Sequence, residues 1–112
     1  MTAASRVSRI ARRLVLSATR EERALVAENR KKLERRFVRQ AREVARKTKC
    51  GFTSQRGWWF HIAGRREAIY ITAIYPEDAI KKFCVENPGI PAEEVEELEF
   101  PVAAYATPVR LR

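Results

Sequence analysis

A chain of 112 residues has room for a single domain, 1 to 112, with a small core and little room for a second one. Its 46% hydrophobic and 33% charged residues, with four Gly and five Pro, argue against a disordered resting state. The net charge of +9 exceeds what solubility requires and directs attention to nucleic acid or an acidic surface as partner.

The charge is unevenly placed. Residues 1 to 49 hold sixteen Lys or Arg against five Glu, whereas residues 50 to 112 hold seven against nine Asp or Glu, so a basic helical part precedes a mildly acidic part. Cys50 and Cys84 cannot build a disulfide framework, and with His61 as the sole histidine they cannot complete a four-ligand zinc site. No metal or other cofactor is expected, and a reducing cytoplasmic or other intracellular compartment fits best. The longest apolar runs, such as AIYITAIY at 68 to 75, fall far short of the roughly 20 residues that span a bilayer. No membrane partner is expected. The first twenty residues carry five Arg, three Ser and no acid, a composition shared by mitochondrial presequences and by ordinary basic helices.

In chain order, Val7, Ile10, Ala11 and Leu14 follow helical spacing and predict a first helix over residues 4 to 17. Thr19 followed by Glu22 has capping-box spacing and predicts that a second helix starts near residue 20. No Gly or Pro interrupts the chain before Gly51, so this helix would run to residue 49 and measure about 45 Å, longer than a small domain. It must project beyond the core or pack with another helix. Val15, Leu16, Leu25 and Val26 have no evident cover, and a helical hairpin or a homodimer would bury them.

After Gly51 the pattern changes to WWFHIA at 58 to 63 and EAIYITAIY at 67 to 75, two β-rich runs that GRR can join as a hairpin. Pro76, Glu77 and Asp78 open a helix that Asn87, Pro88 and Gly89 close. The stretch AEEVEEL is open to either a short helix or an extended segment. Residues 102 to 107, between Pro101 and Pro108, read as a C-terminal edge strand. The predicted class is α+β, with an N-terminal helix and a long basic helix packed on a ββα unit plus that strand.

Within the long helix, Lys32, Arg35, Arg39, Arg42, Arg46 and Lys49 recur at spacings of 3, 4, 3, 4 and 3 and fall within about 100° of one another. Leu33, Phe37, Ala41 and Val44 centre on the opposite side, so burying them turns the cations to solvent. The result is a rail about 25 Å long, rich in arginine, whose paired N–H donors suit phosphate. A solvated face with internal ion pairs is the competing reading. The five glutamates between 93 and 99 could neutralise the rail or form a solvated turn.

On the hairpin, Trp58, Phe60 and Ile62 share one face by alternation and Trp59 and His61 the other. If that second face is open, Trp59, His61 and a cross-strand Tyr70 or Arg66 would make a stacking platform for unpaired bases. Catalysis has little support. There is no phosphate-cradling glycine loop and no nucleophile turn, and His61 with Glu67 is the only acid and base pair the hairpin suggests. The expectation is therefore a non-enzymatic accessory protein that grips the phosphate backbone of DNA or RNA through the rail. The alternative is a protein-binding module, such as a virion component or small inhibitor, docking on an acidic protein surface.

Overall fold

The computed structural model describes residues 20 to 102 and 108 to 112. The helix predicted over 4 to 17, the Thr19 cap and all but the first residue of the strand predicted over 102 to 107 lie outside the described residues. The elements are helix α1 (Arg20–Lys47), strands β1 (Arg56–Ile62) and β2 (Ile69–Ala73), helix α2 (Pro76–Glu86), a 3-10 turn (Ala92–Glu94), and strands β3 (Val95–Phe100) and β4 (Val109–Leu111). The α+β class follows directly.

The four strands form one antiparallel sheet in the order β2-β1-β3-β4. Trp58, Phe60, Ile62, Ile71, Ala73, Leu98, Phe100 and Leu111 point to one face and are buried beneath both helices. The alternation read from WWFHIA holds. Trp58 stacks on Phe100 with centroids 4.8 Å apart and donates its indole N–H to the Ala73 carbonyl at 3.0 Å. Phe60 lies on Phe83 of α2 at 4.3 Å and 9°, which fixes that helix to the centre of the sheet.

Leu33, Phe37, Ala41 and Ala45 of α1 are buried along the seam that the helical spacing marks, and Val44 packs at its border. Asn29 continues the seam as a buried polar residue, its Oδ1 accepting the Ala92 N–H at 3.3 Å. Toward the N-terminus the first two turns expose every side chain except Val26, which touches the core. Leu25, at 51% exposed, is left uncovered by the described residues. Among the described residues this end of α1 projects beyond the core.

The helix ends two residues before the predicted limit. The Cys50 N–H bonds the Ala45 carbonyl at 2.9 Å and the Lys49 N–H bonds the Arg46 carbonyl at 3.2 Å, with Lys49 at φ 55°. This is a Schellman cap whose left-handed position holds lysine instead of glycine, so the cap geometry and not residue type ends the helix.

Strand β3 is the element that period-two reading misses. His61 pairs with Glu97 and Ile62 with Val95, so Glu96 is an extra residue bulged out of the ladder. The bulge places Val95 and Leu98, three apart in sequence, on the same buried face. The described edge strands are β2 and β4, and β4 follows Pro108. Arg36 of α1 secures the bulge by donating to the carbonyls of Val95 and, at 2.7 Å, of Glu96, while its guanidinium lies 4.7 Å from the Phe37 ring centroid. Replacing Arg36 by Met keeps the stem but removes these donors, and should lower stability by roughly 1.5–3 kcal/mol in urea unfolding. A loss of a few tenths or less would mean that the bulge holds itself.

Candidate nucleic-acid interface

The basic rail lies on the side of α1 that faces away from the sheet. Arg35, Arg39, Arg42 and Arg46 are all exposed, spread over about 17 Å of helix axis. Lys49 is also exposed but follows the helix end, so its left-handed backbone takes it off the helical line. Lys32 is half-buried at the other end.

Two of the six cations are neutralised within the chain. Lys32 Nζ reaches Glu93 at 2.8 Å and Glu28 at 3.5 Å. The hydrogen bond with Glu93 raises the Lys32 pKa and, reciprocally, lowers that of Glu93. Arg42 is held by Glu77 of α2, with Nε to Oε1 at 3.1 Å and Nη2 to Oε2 at 2.7 Å. Arg35, Arg39, Arg46 and Lys49 have no ion pair among the described residues. A shallow groove between the helices is lined by Glu34, Arg35, Val38, Arg39, Arg42 and Glu77.

The acidic run does not fold over the rail. Glu93 alone reaches it, and Glu96 turns to solvent at the bulge. Glu97 and Glu99 belong to β3 and point to the face of the sheet opposite the helices, where Arg110 and Arg112 of β4 pair with them at 3.0–3.7 Å. The reading of this run as a solvated turn gives way to a strand, because the bulge hides its alternation.

That same sheet face is open among the described residues. Trp59 and Tyr70 are directly opposite across β1 and β2, their ring centroids 5.1 Å apart, and Tyr70 is 54% exposed. The Tyr70 ring lies over Gly57, where an added Cβ would come within 2.3 Å of it. His61 is on this face too, but its Nε2 is 2.8 Å from Glu99 Oε1, so its partner is Glu99 and not Glu67. Arg66 is exposed in the β1–β2 turn. The three stacking candidates therefore divide into an aromatic pair and a histidine committed to the ionic half of the sheet.

Rail and aromatic pair occupy opposite sides of a two-layer arrangement, since α1 and α2 cover only the other sheet face. Among the described residues no group of three or more His, Cys, Asp or Glu side chains is placed to hold a metal ion. Cys84 is buried, and burial pushes its thiol up to about 11. No described helix is long and apolar enough to cross a membrane. Glu77, Arg110 and Arg112 are the site residues that sequence reading did not single out. In sequence, Glu77 shows only a first-turn acid suited to the helix dipole.

Set against protein-family models, curated proteins and solved structures, the chain matches none.

Proposed function

We propose that the chain is a small nucleic-acid-binding accessory protein that contacts the phosphate backbone through the outer face of α1. The observation that carries this reading is the row Arg35, Arg39 and Arg46, with Lys49 just past the helix end, all exposed and without ion pairs among the described residues. A protein surface that served solubility alone would intersperse both signs here.

Binding through this face is independent of base sequence. The two amides on α1 that could read a base edge are spoken for: Asn29 is buried against Ala92, and Gln40 donates to the Arg36 and Arg112 carbonyls. The exposed Arg35, Arg39 and Arg46 are suited to phosphate. With the inner face of α1 occupied by the sheet and α2 alongside it, the helix can lie along a backbone but not sink to its full width into a major groove.

Titration of labelled duplex DNA, single-stranded DNA and structured RNA at several salt concentrations tests the reading. The four rail cations without an ion pair among the described residues contribute about −3.6 to the slope of log K against log salt for B-DNA. Failure to bind any of the three at low salt rejects it and favours an acidic protein surface as the partner.

The Trp59–Tyr70 pair, on a sheet face left open by the described residues, supports a second contact, the stacking of unpaired bases. Trp58 is fully buried, so a quench of tryptophan emission by single-stranded oligonucleotide would report on Trp59. The expected result is quenching by single strands and little by duplex. Equal emission with and without single strands removes the stacking role and leaves the rail untouched.

A further inference from the structure

The rail's central cation carries an anion already. Glu77 grips Arg42 through three contacts, Nε to Oε1 at 3.1 Å, Nη2 to Oε1 at 2.8 Å and Nη2 to Oε2 at 2.7 Å. Two N–H donors of a guanidinium directed at two oxygens of one anion is also the arrangement by which arginine holds a phosphate. The carboxylate lies at the rim of the groove that Arg35, Arg39 and Val38 line, with Arg39 and Arg35 three and seven residues before Arg42 on the same helix face.

Taking α1 as the phosphate-binding face, we infer that the Glu77 carboxylate occupies the position of a backbone phosphate and that nucleic acid displaces it on binding. Three features make the exchange feasible. Both side chains are substantially exposed, 53% for Arg42 and 36% for Glu77, and ion pairs so exposed to water are weak and open readily. Glu77 makes no other ion pair among the described residues, so releasing it breaks no wider network. Once released it remains in the first turn of α2 beside Pro76, where the helix dipole favours a negative charge.

Glu77 then does two things. It keeps the groove from presenting three adjacent unpaired arginines to any passing anion, and it lowers affinity for the true ligand by the work of displacement. The ligand chemistry at this position is a phosphodiester held by Arg42, flanked by neighbouring phosphates at Arg39 and Arg46. Lys32, gripped by Glu93 and Glu28, lies at the rail's end and outside this groove.

The test compares E77Q with wild type and with E43Q. Glu43 is an exposed acid of α1 that pairs only loosely, at 3.8 Å, with Lys47, which is not a rail residue, so its removal changes net charge equally. Binding of a labelled 20-base-pair duplex is followed over a salt series. E77Q is expected to bind about three- to tenfold more tightly near 0.1 M salt with the slope of wild type, because Arg42 meets a phosphate in both complexes and contributes about 0.9 to both slopes. E43Q should move affinity much less and leave the slope unchanged. If wild type binds the duplex but E77Q binds it no more tightly, or if E43Q produces the same gain, Glu77 does not hold a phosphate position although the rail reading survives. If no variant binds nucleic acid, the rail reading fails and this inference with it.

Discussion

Replacing Arg35, Arg39 and Arg46 together by glutamine is expected to weaken duplex DNA binding by on the order of a thousandfold near 50 mM salt, and to flatten the salt slope by about 2.7. Each lost phosphate contact removes about 0.9 in slope and, at that salt concentration, somewhat more than one logarithmic unit of affinity. The variant leaves Arg42 in place because Glu77 already neutralises it, so the three changes remove unpaired cations only. All three side chains are exposed, and Gln matches Arg in helix propensity, so folding should be almost unchanged. Circular dichroism and urea midpoints check that assumption. Because phosphate contacts carry no sequence information, the loss should be the same for unrelated duplexes. Wild-type affinity in the triple variant would mean that α1 is not the binding face.

The direction of the rail is legible in sequence because a helix converts spacing into angle. Leu33, Phe37 and Ala41 recur at four residues, and everything that follows from burying them, including the outward turn of Arg35, Arg39 and Arg46, is fixed by 3.6 residues per turn. The state of that rail is not legible, because its neutralising partners come from far along the chain. Glu93 meets Lys32 across 61 residues and Glu77 meets Arg42 across 35. No local spacing encodes either meeting. Arg36 shows the same limit from the other side: within the run KKLERRFVRQ it looks like its cationic neighbours, yet it turns inward to the carbonyls of the β3 bulge. The bulge itself is why β3 stays hidden. One extra residue at Glu96 shifts Val95 out of phase with Leu98 and Phe100, and a phase-broken six-residue strand with three glutamates, Glu96, Glu97 and Glu99, and Glu94 just before it reads as surface loop.

Phe37→Ala is expected to lower stability by about 3–5 kcal/mol, a large share of the 5–15 kcal/mol that holds a domain of this size together. Phe37 is fully buried, with Leu33 and Ala41 one turn to either side, and truncation leaves a cavity where α1 meets the sheet. The rail makes this docking necessary. Arg35 and Arg39, Arg39 and Arg42, and Arg42 and Arg46 are like charges three or four residues apart, each pair opposing helix formation. Glu77 relieves the repulsion at Arg42 only. Burial of the Phe37 seam must therefore offset the repulsion of the rail it backs, and the Arg35, Arg39 and Arg46 glutamine variant should be slightly stabilised where Phe37→Ala is severely weakened. Leu25→Ala, at a side chain 51% exposed on the overhang, serves as the contrast and should cost little. Urea unfolding at constant m measures all three. In binding assays Phe37→Ala should lose apparent affinity only in proportion to its unfolded fraction, because the spacing of the cations in folded molecules is unchanged. A destabilisation below about 1 kcal/mol would show that α1 is not anchored through this seam, and the rail would then have no rigid backing to hold its charges in line.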